Sequence, residues 1–163
     1  MRRVAALLAA FLLTSCAATE SAAPSATAVP SIPPGLEQIA AAYLKAADSS
    51  NAATCTFNAV LSQSAPALAD LKRASIDYAE SLEGLADGLT DIEWPAELEA
   101  DATELIDALA VNQGFAEAMA RAATLSAFIE ADNQLIEANA ISADAAAQLR
   151  TDLGLGSARN PCR

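Results

Sequence analysis

Residues 68–89 read LADLKRASIDYAESLEGLADGL. Leu68, Leu71, Ser75, Tyr78, Leu82, Leu85 and Leu89 recur in an unbroken three-four alternation. That spacing sets all seven on one face of an α-helix and makes the seam of an antiparallel helix pair. Pro66 suits the first turn of this helix and Ser64 its cap. Gly84 and Gly88 form a small-x-x-x-small pair. In a membrane helix it would suggest dimerisation, but amid so many acids it marks close approach of a neighbouring helix or a soft spot.

The same period extends in both directions. Upstream run Leu36, Ile39, Tyr43, Ala47, Ser50, Thr54, Phe57 and Leu61, with a polar middle that allows a break near Ser49 to Asn51. Downstream, Trp94-Pro95 ends a connection, and Pro95 suits the first turn of the next helix. Its stripe is Leu98, Ala102, Leu105, Leu109, Asn112, Ala116, Met119 and Ala123, with Gly114 as a place to bend. Leu125, Phe128, Ile129, Leu135 and Ile136 continue in helical fashion. Ser142 reads as the cap of a final helix, Asp144 lies in its first turn, and Gly154 after Leu153 reads as its stop. Helices of about 25 residues span about 40 Å, and short connections make antiparallel neighbours. The predicted fold is all-α: an up-down antiparallel bundle of three long helices and a bent or broken fourth, occupying residues 35–163.

Composition agrees. The chain of 163 residues is 53% apolar but only 4% aromatic, and alanine, the best helix former, dominates. Such a core lets helices approach toward the low end of the usual spacing of about 8–10 Å. The net charge is -12, from 21 acids against 9 bases, two of which are Arg2 and Arg3. This balance argues against nucleic acid and against adhesion to anionic lipids, both of which require clustered Lys and Arg. It permits a basic protein partner or a cation, and it also serves simple solubility.

The N-terminus carries a processing signal. Met1-Arg2-Arg3 is positive, and Val4 to Leu13 is apolar but far short of the roughly 20 residues that span a bilayer. Leu13-Thr14-Ser15-Cys16 follows and resembles the bacterial lipobox. That resemblance implies cleavage after Ser15, so that residues 1–15 are a removed signal peptide, and acylation of Cys16, which anchors the mature chain to a membrane on its extracytoplasmic side. Two acyl chains suffice for stable anchoring. Residues 17–34, rich in Ser, Ala, Thr and Pro, read as a flexible tether from Cys16 to the domain. The mature domain resembles small alanine-rich helical lipoproteins of high-GC bacteria, a likeness that carries no functional residues.

With Cys16 lipidated, Cys55 and Cys162 remain in an oxidising compartment. An even pair there is most simply a disulfide, the alternative being two free thiols. The bridge bears on topology. Cys55 lies toward the C-terminal end of the first helix, and a full-length descending fourth helix would leave Cys162 at the opposite end. The predicted path therefore descends over 125–138, turns at Asn139 to Ser142, and climbs back over 143–153.

The chain contains no histidine. This removes Ser-His-Asp and Cys-His catalysis, Glu-x-x-His di-iron sites and imidazole zinc sites. No phosphate-binding glycine loop or nucleophile elbow is present, so no catalytic residue, metal ligand or cofactor is expected. A glycosidase-like pair of carboxylates is the one enzymatic route left. The dense feature is acidic: twelve Asp and Glu lie between Asp70 and Asp107. Glu83, Asp87 and Asp91 sit four apart on one helix face, where like charges repel. They read as a solvated outer face or as a docking surface for a basic envelope protein. Trp94 is expected to pack beneath its turn. The reading is a lipid-anchored, non-catalytic interaction or structural module of the cell envelope. The alternative is a binder of a small molecule or cation, in an inter-helix pocket lined by Tyr43, Tyr78 or Phe128 or on the acidic face.

Overall fold

The computed structural model describes residues 31–158 and Cys162. The leader, the lipobox with Cys16 and most of the tether lie outside the described residues. Four helices follow one another: α1 (Glu37–Leu61), α2 (Leu68–Thr90), α3 (Glu99–Arg121) and α4 (Leu125–Asp152). Close backbone packing runs in sequence, α1 on α2, α2 on α3 and α3 on α4. The architecture is an all-α helical bundle. No helix among the described residues is long and apolar enough to cross a membrane.

The α2 stripe faces inward along its whole length: Leu71, Ser75, Tyr78, Leu82 and Leu89 are buried, and Leu68 and Leu85 pack against them. On α3, Leu105, Leu109, Asn112, Ala116 and Met119 are buried as the spacing predicts. The stripe ends one residue early, on Ala122 rather than Ala123. α1 runs unbroken through Ser49 to Asn51, with Ser50 buried and Thr54 Oγ1 donating to its carbonyl at 2.8 Å. Small residues set the α1–α2 distance. A methyl group at Gly88 would lie 3.0 Å from the Ala46 Cβ, so this glycine marks close helix approach, whereas Gly84 faces open space.

The termini of the helices differ in part from the sequence reading. α2 opens at Leu68 behind Ala67, and no side chain caps it; Ser64 and Pro66 lie in the preceding turn. Pro95 starts a turn whose carbonyl accepts from Leu98 and Glu99, and α3 begins after it. Trp94 packs beneath this turn as predicted, its Nε1 donating to the Leu89 carbonyl at 2.8 Å and satisfying one of the open carbonyls at the end of α2. Thr124 caps α4 through the Ala127 amide.

The fourth helix requires a correction. α4 is one helix of 28 residues, continuous through Asn139 to Ser142. Ser142 is not a cap. It is buried mid-helix and accepts a hydrogen bond from Asn112 Nδ2 at 2.8 Å, while Asn139 Oδ1 accepts from the same nitrogen at 2.9 Å. Asn and Ser signal turns because their side chains compete for backbone groups; here both also serve a partner on α3. The predicted climb-back is made by the chain after the helix. Gly154 (φ 68°) closes α4 with paired bonds, Leu155 N–H to Arg150 C=O and Gly154 N–H to Thr151 C=O. From there Cys162 reaches Cys55, and the two form a disulfide with Cα atoms 5.2 Å apart.

Gly154 has a second duty. A Cβ there would lie 2.8 Å from Pro33 Cδ and 2.9 Å from Ile32 Cα, so the chain entering α1 is packed against the chain leaving α4. Ile32, within the stretch read as tether, packs on the core.

The glycines give a direct check by urea unfolding. Gly84→Ala and Gly114→Ala sit mid-helix with nothing within 4 Å of the new methyl, and each should gain about 0.5–1 kcal/mol of stability. Gly154→Ala should lose stability, because its positive φ and its contact with residues 31–33 both exclude a Cβ.

Candidate functional site

Across α1 and α4 the seam is filled by side chains rather than by close backbone approach. The Arg150 guanidinium lies 6.0 Å from the Tyr43 ring centroid, and its Nε donates to the Gly156 carbonyl at 3.1 Å. Between α1 and α2, Phe57 stacks on Tyr78 with ring centroids 4.8 Å apart. Burial pushes the Tyr43 hydroxyl above its ordinary value, with Arg150 pulling the other way; burial also raises Tyr78, opposed by the Asn139 side chain. Tyr43, Tyr78 and Phe128 are buried in the core, and none of them lines the surface grooves described below. The predicted aromatic ligand pocket is thus packed core.

Beside these aromatics lies a polar layer. Asn112 is 1% exposed, and its amide nitrogen serves both Asn139 and Ser142, while its Oδ1 has no hydrogen-bond partner among the described residues. A buried carbonyl left unpaired costs about 1–3 kcal/mol. The layer pins the register of α3 against α4.

The acidic row divides. Glu83, Asp87 and Asp91 are all exposed. Glu83 lines an α2–α3 groove of about 340 Å³ together with Ile76, Glu80, Glu117 and Arg121. Asp91 lines grooves on the α1–α2 side, one of them with Lys45 and Gly88. Eight residues along a helix amount to a turn of about 80° relative to the starting face, so the ends of the row look onto different neighbours. Glu117 pairs with Arg121 at 3.0 Å, the one ion pair among the described residues. No group of three or more Cys, Asp and Glu that could hold a metal ion occurs among the described residues.

A larger concavity than these lies elsewhere among the described residues. A groove of about 740 Å³ follows the outer flank of α3 where it meets α4. Its apolar lining is Ala96, Ala100, Ala108, Val111 and Ile141, and its polar lining is Glu99, Thr103, Glu104 and Asp107. Val111 and Ile141 are 53% and 61% exposed. On α4, the exposed Glu137 and Asp144 stand four before and three after Ile141, on its face of the helix. No basic residue lines this groove. Sequence reading missed it because its two aliphatic residues come from different helices and belong to neither core stripe.

On α4, Phe128 and Leu135 are buried, but Leu125, Ile129 and Ile136 are half exposed or more. Asp132, set between Ile129 and Ile136 at helical spacing, has its carboxyl raised above the ordinary 3.8 by burial.

The molecule is therefore an acidic helical bundle closed by a disulfide, with an open groove of mixed apolar and carboxylate lining. Comparison of the chain with protein-family models, curated proteins and solved structures finds no match.

The raised Asp132 sets a pH dependence. Ionised Asp132 destabilises the folded state at neutral pH, and the penalty vanishes once the carboxyl is protonated. Asp132→Asn should raise Tm at pH 7, and the gain should fade as pH falls through the folded value toward 3.8 and be absent below it. Thermal unfolding followed by circular dichroism at a series of pH values checks this.

Proposed function

We propose that this protein is a lipid-anchored, extracytoplasmic binding module of the bacterial envelope, without catalytic activity of its own. Cys16 holds it to the membrane, the following Ser- and Ala-rich stretch gives it reach, and the bundle presents acidic surface to other envelope proteins. The single observation that carries the reading is the Cys55–Cys162 pair, with Cα atoms 5.2 Å apart. Disulfides persist in exported chains and are rare where thiols are kept reduced. The pairing also leaves Cys16 as the odd cysteine, in the position where the lipobox resemblance requires an acyl acceptor. The reading as a binder rests on the exposed, unneutralised carboxylates beside apolar side chains along α3 and α4.

The test is to express the whole chain in a bacterial host and to take the intact mass of the product extracted from membranes. The wild type should partition with the membrane, begin at Cys16 and carry acyl mass. Cys16→Ala should lack that mass. A wild-type product that is released, unacylated and cut at another position contradicts the anchor.

A further inference from the structure

We propose that the α3–α4 groove is the docking site for a cationic amphipathic helix of another protein. This rests on the reading of the molecule as a binding module and goes beyond it by assigning the surface and the chemistry of the occupant.

The groove is lined from Ala96, in the turn before α3, and along α3 from Glu99 to Val111. Twelve helical steps from Glu99 to Val111 at about 1.5 Å amount to about 18 Å, and the turn at Ala96 extends the groove further, a length that suits a helix of about 12–15 residues. On α3 the apolar lining is Ala100, Ala108 and Val111, with Glu104 between the first two at helical spacing, and these alanines with Ala96 in the preceding turn leave room for another helix to settle closely. Val111 and Ile141 give it two aliphatic contacts, one from each wall, both more than half exposed. Such a surface suits an incoming helix with apolar anchors at three-four spacing.

Charge chooses which helix. Glu99, Glu104 and Asp107 line the groove, all three are exposed, and none is in an ion pair among the described residues. The α2–α3 groove differs, because Arg121 lines it and already pairs with Glu117. A helix with Lys or Arg flanking its apolar line would find carboxylates on the groove and a net charge of -12 behind them to steer its approach. A second copy of this chain does not suit the site. Its bases after the leader are Lys45, Lys72, Arg73, Arg121, Arg150, Arg159 and Arg163, with no two at helical spacing on one face of a described helix.

The test uses the purified mature chain in zwitterionic detergent. The probe is a labelled synthetic helix of Lys and Leu, about 15 residues long, with leucines at three-four spacing; a scrambled peptide of the same composition is the control. Binding is followed by fluorescence anisotropy. The proposal expects the ordered peptide to bind at least about tenfold more tightly than the scrambled one. It expects a Val111→Gln, Ile141→Gln double variant and a Glu104→Gln, Asp107→Asn double variant each to weaken it by about tenfold. A Glu83→Gln, Asp87→Asn variant, which removes the same charge from α2, should change it by less than about twofold. All these positions are exposed, and unchanged Tm of each variant confirms the fold. Equal binding of the scrambled peptide, or equal loss in the α2 variant, would reduce the effect to general attraction by an acidic protein and overturn the proposal. The readout does not depend on Cys16, so failure of the anchor leaves this test standing and failure here leaves the anchor untouched.

Discussion

The Cys55–Cys162 bridge is the constraint on which the rest of the molecule leans. Backbone packing passes from α1 to α2 to α3 to α4, and α1 meets the C-terminal part of the chain through side chains and termini. Among the described residues, Arg150 over Tyr43, Gly154 against Ile32 and Pro33, and the disulfide all help to close that side. Only the last is covalent. It spans 107 residues of sequence, and in the chain-entropy view a loop near 100 residues removes about 4.7 kcal/mol of freedom from the unfolded state. A core in which alanine does much of the packing has little surplus burial with which to replace it.

The same thin core explains how the seams differ. Where Gly88 meets Ala46, helices come close and need no large side chain. Elsewhere the few aromatics do the packing: Phe57 of α1 stacks on Tyr78 of α2, and Tyr43 of α1 lies under Arg150 of α4. Between α3 and α4, Asn112 reaches two acceptors, and a one-turn slip of either helix would leave these groups buried without partners. Size sets the spacing of the helices and the polar layer sets their register.

Much of this was legible in the sequence, and the misses have physical causes. The α2 stripe was readable throughout because each seam position is apolar or, like Ser75, can turn its hydroxyl back to the carbonyl of Leu71. The pairing of Cys55 with Cys162 was legible once the lipobox resemblance set Cys16 aside, and the structure brings the two together. The turn assigned to Asn139–Ser142 failed because the propensities of Asn and Ser are local, and their partner lies 27 and 30 residues away. That error was joined to a second, the assumption that only a helix could bring Cys162 back to Cys55. The helical run of Leu125, Phe128, Ile129, Leu135 and Ile136 does not by itself say which face is inner: Phe128 and Leu135 are buried, whereas Leu125, Ile129 and Ile136 are half exposed or more. The acidic row of α2 was visible at once; the α3–α4 groove was not, because pairing Val111 with Ile141 is a property of helix packing and not of either helix.

The closed bundle requires that Cys55 and Cys162 be oxidised to one another in the folded chain. The most direct measurement is the intact mass of the mature chain, purified under thiol-blocking conditions, before and after reduction. Neither Cys55 nor Cys162 should take up the blocking reagent until the protein is reduced, and reduction should add the mass of two hydrogens. Full alkylation of both residues without reduction would contradict it.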